Sequence, residues 1–217
     1  MFRYQIIPVT AFAQNCSLLW DDAASAPHEA AVIDPGGDLD RVLAQAKRLD
    51  LKIAQIWLTH GHIDHVGAAG ALSRQLRIPI IGPHQGDANL IATLPWQGAM
   101  FGLPSAEIFT PARWLVDGDT VELAGQAIVV RHCPGHTPGH VVFHVPQIER
   151  AFVGDVLFAG SIGRTDLPGG NHQQLIDSIT TRLWPMGDAT VFIPGHGPES
   201  TLGQERRNNP FVREARA

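Results

Sequence analysis

The chain has 217 residues, with 16 Lys+Arg against 21 Asp+Glu and 44% apolar side chains, so it can bury roughly 70% of its unfolded surface without disulfide staples. The net charge of -5 argues against a general binder of nucleic-acid phosphates or anionic lipid, and no run approaches the ~18 apolar residues of a membrane span. Cys16 and Cys133 are too few for a disulfide framework, and the opening MFRYQIIPVT lacks the parts of a secretory leader, so a cytoplasmic protein without nucleic-acid or membrane partners is expected.

Phe2, Tyr4 and Ile6 alternate with Arg3 and Gln5, predicting a half-buried first strand, and Cys16 to Trp20 predicts a second. Ala30 to Ile33 forms a third before the turn Asp34-Pro35-Gly36-Gly37. Asp38 then offers a side-chain N-cap to a helix whose Leu39, Val42, Leu43, Ala46 and Leu49 recur at helical spacing. Ile53 to Leu58 is nearly all apolar, as in a strand covered on both faces, and runs directly into Thr59-His60. From Val66 through Ala69, Leu72 and Leu76 the period is helical again. Leu94 to Pro111 predicts the longest loop, either a pocket lid, a subunit contact or a surface loop packed on itself.

The second half repeats the plan. Strands are expected at Trp114 to Val116, Val121 to Leu123, Ala127 to Arg131, Val141 to Val145 and Ala151 to Gly154, then a helix from Gln173 to Leu183 stopped by Pro185, then a strand at Val191 to Ile193. Meander then helix, twice over, predicts an α+β fold of the αββα sandwich type, two mixed β-sheets flanked by helices. No linker divides residues 1-217, so a single domain is expected.

The unusual feature is 11 His in a chain with 1 Tyr. Thr59-His60-Gly61-His62-Ile63-Asp64-His65 stands where a buried strand gives way to a helix, and Gly61 lets the backbone turn tightly enough for side chains to converge. His60 and His62 face one way only while the chain is extended, whereas Asp64 and His65 lie past the bend and address a second position. The spacing therefore suits two metals better than one. Cys133-Pro134-Gly135-His136-Thr137-Pro138-Gly139-His140, Gly154-Asp155 and Pro194-Gly195-His196-Gly197 each place a His or Asp at a strand end beside Gly or Pro, where a rigid sheet presents ligands from loops.

In that order, THGHIDH, PGHTPGH, GD and PGHG resemble the motifs of the metallo-β-lactamase superfamily, and within it the chain is most similar to small single-domain members of the glyoxalase II (hydroxyacylglutathione hydrolase) branch. The resemblance implies that His60, His62 and His136 hold one divalent metal, that Asp64, His65 and His196 hold another, and that Asp155 bridges them. Zn is the first expectation, with Fe or Mn also suited to imidazole and carboxylate ligands. It implies hydrolysis of small-molecule thioesters such as S-D-lactoylglutathione to D-lactate and glutathione, as in methylglyoxal detoxification, by a hydroxide shared between the metals and oriented by Asp64. A thiolate, of parent pKa near ~8.5, leaves without a strong general acid.

His132 and His140 flank the ligands and can orient them through their other ring nitrogens. His28, His84, His144 and His172 are expected at the surface or satisfied in the core, and Cys133 is expected to be structural. The chain is expected to lack the C-terminal helical domain by which full-length glyoxalase II supplies basic residues to glutathione. It also has Asp166 and Pro198 where that family places Tyr. Arg164 keeps the family's basic position, and either pairs with a substrate carboxylate or bridges to Asp166.

An alternative changes the reaction class. His60, His136 and Asp155 alone make a 2-His-1-carboxylate set for mononuclear Fe(II), and Gly163-Arg164-Thr165-Asp166 is similar to the loop of the superfamily's persulfide dioxygenases. The RNA-processing nuclease branch shares the first motif but fits the acidic balance poorly, and a flavodiiron-type protein calls for Glu where His62 stands. A non-enzymatic scaffold predicts lost ligands, and none is lost.

Overall fold

Leu18 and Leu19, Val32 and Ile33, and Ile56 and Trp57 are neighbouring pairs whose side chains leave opposite faces of a strand, and all are buried. Such strands need cover on both faces. The computed structural model describes residues 1–23 and 25–212, and it supplies that cover with a second sheet on one side and helices on the other.

Five strands form the first sheet in chain order: β1 (Phe2–Val9), β2 (Gln14–Asp21), β3 (His28–Ile33), β4 (Leu51–Trp57) and β5 (Ile80–Ile81). β1 to β3 pair antiparallel, whereas β4 runs parallel to β3 and β5 parallel to β4. Helices α1 (Leu39–Arg48), α2 (Ile63–Val66), α3 (Ala69–Leu76), α4 (Ala88–Ala92) and α5 (Leu94–Phe101) belong to this half. Val42, Val66, Leu72, Ile91 and Leu94 pack from them onto Leu18, Val32 and Ile56.

The second half contributes β6 (Thr120–Leu123), β7 (Gln126–His132), β8 (Val141–Val145), β9 (Arg150–Gly154), the hairpin β10 (Leu157–Phe158) and β11 (Ser161–Ile162), then β12 (Val191–Pro194) and β13 (Ser200–Thr201). The six-stranded sheet has the order β13-β12-β9-β8-β7-β6, with β12 parallel to β9 and the other pairs antiparallel. Its inner face meets the first sheet through Phe143, Phe152 and Ile193, and Trp57 stacks on Phe143 with ring centroids 5.3 Å apart. Its outer face is covered by Leu175 of α6 (His172–Ser178), by Ile179 and Leu183, and by Leu202 of α7 (Leu202–Asn208). The architecture is the expected αββα sandwich. No helix among the described residues is long and apolar enough to cross a membrane.

Several local expectations are corrected. Leu94–Phe101 is helical, not irregular, and closes at Gly102, whose φ of 67° suits a left-handed helix end. Asp38 precedes α1 but itself has φ 48°, and its carboxylate accepts from Thr10 N at 2.8 Å instead of capping the helix. Trp114 to Val116 forms no strand: only Arg113 bridges to Ile81, and Val116 N is taken by the Asp119 side chain. The helix expected from Gln173 to Leu183 is α-helical only to Ser178 and continues as a π-helical turn over Ile179–Leu183.

Candidate metal centre

All the singled-out His and Asp segments leave carboxyl ends of strands. The first follows β4, the second β7, Asp155 follows β9 and His196 follows β12. The two sheets are tied together at this end, where Val141 N donates to Thr59 O at 2.7 Å and Asn15 N donates to Gly195 O at 2.7 Å. Gly195 is required by close approach, since a Cβ there would run into the Asp155 carboxylate and the His65 ring.

The first motif is anchored by Asp34, which ends the β3 connection. Its Oδ1 accepts from Thr59 N at 2.7 Å, and its Oδ2 accepts from Thr59 Oγ1 at 2.6 Å and His65 Nδ1 at 2.9 Å. Thr59 Oγ1, having given its own proton to Asp34, faces His60 Nδ1 at 3.0 Å as an acceptor. α2 then starts at Ile63, whose N–H is held by Gln97 Oε1 of α5 at 3.0 Å, and its single turn swings Asp64 and His65 back toward the cluster.

The ring nitrogens are assigned by their partners. His136 Nδ1 donates to Arg164 O at 2.7 Å and His196 Nδ1 to Phe12 O at 3.1 Å. With Nδ1 of His60, His65, His136 and His196 all serving as donors, Nε2 is the nitrogen that carries the lone pair when each ring is neutral, the form a metal takes. The result is two groups whose ligand atoms lie within 4.8 Å of one another: His60, His62 and His136, and Asp64, His65 and His196. Asp155 sits between them, with Oδ1 3.3 Å from His65 Nε2 and Oδ2 3.5 Å from His136 Nε2 and 3.7 Å from His196 Nε2. Asp34, His60 and His65 also lie close together, but hydrogen bonds to Thr59 and His65 already occupy the Asp34 oxygens.

Three buried atoms in this cluster, His60 Nε2, His65 Nε2 and Asp155 Oδ1, make no hydrogen bond. A buried polar atom left unpaired costs about 1–3 kcal/mol, so their convergence on one place needs a common partner. The donor set, imidazole lone pairs around shared carboxylates, fits divalent metal ions.

Burial, reinforced by neighbouring imidazoles, holds His60 and His140 far below the ordinary histidine range and pushes His62 down to about 3. Burial also lowers His136. These rings are neutral at pH 7, the form a metal takes. Burial opposes the charged form of His65 and His196 too, but Asp155 and Asp64 outweigh it and raise both. Asp155 is held well below the carboxylate range, against its burial, chiefly by His65 and His136.

These directions fix a pH dependence for the metal-stripped protein. His60, His62, His136 and His140 take up protons near 6.5 only when the chain unfolds, so their contribution falls as pH drops below 6.5. His65 and His196 act oppositely, contributing stability below 6.5 that is lost as pH rises through their folded values. The lowered group is larger, so melting followed by circular dichroism should show a lower midpoint at pH 5 than at pH 7. An equal or higher midpoint at pH 5 contradicts these assignments.

The structure thus brings together every expected ligand and adds residues that the sequence did not single out. Asp87 is fully buried between the two His loops: Oδ2 accepts from Gly61 N and Thr137 Oγ1, both at 2.8 Å, and Oδ1 accepts from Gly139 N at 2.5 Å. Burial pushes its carboxyl up to about 6 against those bonds. Its setting, Gln85-Gly86-Asp87, reads as a surface turn, and Asp34 likewise reads as part of a turn. His140 supports the centre as expected, stacking on His60 at 4.6 Å and accepting from Asp155 N at 3.0 Å. His132 does not: it contacts Pro138 O at 2.9 Å and stacks on His84. His28, His84, His144 and His172 belong to neither group. Cys133 is buried, with its thiol pushed up by that burial.

A cleft of about 600 Å³ opens onto His62, Asp64, His136, Asp155 and His196, walled by Phe12, Phe101, Phe158, Ile162 and Leu167. A larger hollow of about 780 Å³ beside Tyr4 and Arg150 holds none of the clustered residues. Arg164 lines the cleft, but its guanidinium is forked on Asp166, Nε to Oδ1 and Nη2 to Oδ2, both at 2.7 Å. Of the two roles open to it from the sequence, the structure contains the bridge to Asp166.

A family model of the metallo-beta-lactamase superfamily matches residues 9–196, a span that includes every clustered residue. The chain belongs to the metallo-beta-lactamase superfamily. Among members of the superfamily it is 48% identical over 209 residues to the hydroxyacylglutathione hydrolase GloC of Haemophilus influenzae, covering 96% of this chain and 97% of that one. It is 36% identical to TTHA1623, solved in a di-iron-bound form, with a TM-score of 0.85 over 96% of this chain and 100% of that one. ETHE1 from Myxococcus xanthus is 28% identical, with a TM-score of 0.75 over 97% and 83% of the respective chains. Superfamily membership, donor set and cleft together mark the protein as a metal-dependent hydrolase.

Proposed function

We propose that the protein is a dinuclear thioester hydrolase of the glyoxalase II type, acting on small cytoplasmic thioesters such as S-D-lactoylglutathione and releasing a carboxylic acid and a free thiol. The observation that carries this reading is the complete second group, Asp64, His65 and His196, beside the first, with Asp155 between them. His60, His62 and His136 would hold one divalent ion and Asp64, His65 and His196 the other, with Asp155 shared. Zn is the first choice, and the di-iron form of TTHA1623 makes iron a real alternative. Such a pair supplies a water acidified toward neutrality and a Lewis acid for the carbonyl oxygen.

The chain's own residues do the rest. Asp64, whose Oδ2 lies 3.1 Å from His196 Nε2, would orient the attacking water as well as hold an ion. Thr59, Asp34, Arg164 O and Phe12 O fix the ring planes of His60, His65, His136 and His196 through Nδ1, whereas His62 Nδ1 faces His136 Nε2 at 2.9 Å. Phe12, Phe101 and Phe158 keep bulk water from the reacting carbonyl. A thiolate leaves without a strong proton donor, consistent with neutral His62 and His136 lining the cleft. Neither nucleic acid nor membrane figures in this proposal.

The deciding experiment measures metal content of freshly purified protein beside hydrolysis of S-D-lactoylglutathione and oxygen uptake with glutathione persulfide. Two ions per chain with thiol release support the proposal. One iron per chain with oxygen uptake supports instead a mononuclear persulfide dioxygenase built on His60, His136 and Asp155, a reading that the likeness to ETHE1 leaves open. For Arg164, already engaged by Asp166, replacement by Ala should change kcat/KM for anionic and neutral thioesters equally, within about threefold. A selective rise in KM for the anionic ones would assign it to carboxylate recognition.

A further inference from the structure

We propose that the cleft beside the metal centre is an acyl slot that selects thioesters carrying an extended apolar acyl chain over short hydroxyacyl ones, with Phe12 and Phe101 as specificity-determining residues. This inference rests on the thioester chemistry proposed above and names the part of the substrate the site reads.

Each wall of the slot is tied to the centre. Phe12 stands at the β1–β2 turn, and its carbonyl oxygen holds His196 Nδ1 at 3.1 Å. Phe101 ends α5, whose Gln97 holds the Ile63 N–H beside His62. The two rings meet edge to face with centroids 6.5 Å apart, and Phe12 is 44% exposed, an apolar surface that gains by being covered. Opposite them, Phe158 lies edge-on to His196 at 6.4 Å. The apolar surface is thus held at a set distance from the reacting centre rather than scattered over a mobile loop.

Charge and size point the same way. Among the described residues lining the cleft, Arg164 is the one Lys or Arg, and both of its arms bonded to Asp166 are occupied. The carboxylates of a glutathione thiol therefore meet in the slot only a cation already paired with a carboxylate, and desolvating them against phenyl rings is unfavourable. The thiol portion is left to the open mouth, and the walls to the acyl portion. The cleft as a whole, including the space at the donor groups, measures about 600 Å³, room for more than a lactoyl group.

The test uses metal-loaded protein and glutathione thioesters of lactate, butyrate, hexanoate and octanoate, so that the thiol is constant. The expected result is a rise in kcat/KM of about three- to fourfold per added methylene until the slot is filled. In Phe101→Ala and in Phe12→Ala the octanoyl-to-lactoyl ratio should fall at least about tenfold, and Phe101→Leu should restore much of it. A flat or falling series in the wild type, or an unchanged ratio in both Ala variants, overturns the inference while leaving thioester hydrolysis intact. A gain that follows apolar thiols carrying lactoyl instead of the acyl chain also overturns it. Absence of hydrolysis across the whole series overturns both this inference and the proposed function.

Discussion

Asp155→Ala should purify with almost no bound metal and with turnover lowered by at least about 10²–10³-fold on any thioester. Asp155 stands within 3.3–3.7 Å of His65, His136 and His196, so a single substitution removes the group that both halves of the centre share. It also removes one of the two anions that raise His65 and His196, so both rings should shed protons more readily. Metal analysis of the variant, with circular dichroism to show that it folds, reads the effect. Two ions per chain, or activity near that of the wild type, would sink the shared-carboxylate arrangement.

Asp87→Ala should be the most damaging change at a residue outside the donor groups. It leaves the Gly61 N–H, the Gly139 N–H and the Thr137 hydroxyl without their acceptor in a fully buried space. At about 1–3 kcal/mol per buried unsatisfied group, partly relieved by relaxation, the melting midpoint should fall by about 5–15 °C. Those donors belong to residues flanking His60, His62, His136 and His140, so metal affinity should fall by about 10–100-fold as well. Asp87→Asn keeps one acceptor and should recover part of both losses. A variant that melts early yet binds metal with wild-type affinity would show that Asp87 supports the fold without positioning the ligands.

The sheets were legible because strands buried on both faces carry apolar residues on both parities, as in Ile53 to Leu58 and Val141 to Val145. The donor residues were legible for a different reason: imidazole and carboxylate clustered beside glycine at strand ends is costly to place without a partner. What escaped was held by tertiary contacts alone. α5 has no apolar stripe of its own, and its place is fixed by Gln97 bonding to Ile63 N and Leu90 O. Asp87 and Asp34 sit in stretches whose composition is that of ordinary turns, and their importance lies in what folds against them. Asp38 shows the converse, a good capping residue diverted by a neighbour, since Thr10 N takes the carboxylate that the helix would have used.

His60, His62, Asp64 and His65 hang from the sheet of the first half, whereas His136, Asp155 and His196 hang from the sheet of the second. Neither half alone carries both donor groups. Ions seated between them would act as a rivet through the sandwich, adding about 2.7 kcal/mol for each site at a free concentration a hundredfold above its Kd. The catalytic centre would then double as the fastening between the halves, and starving the protein of metal would loosen the fold along the same seam where it does its chemistry.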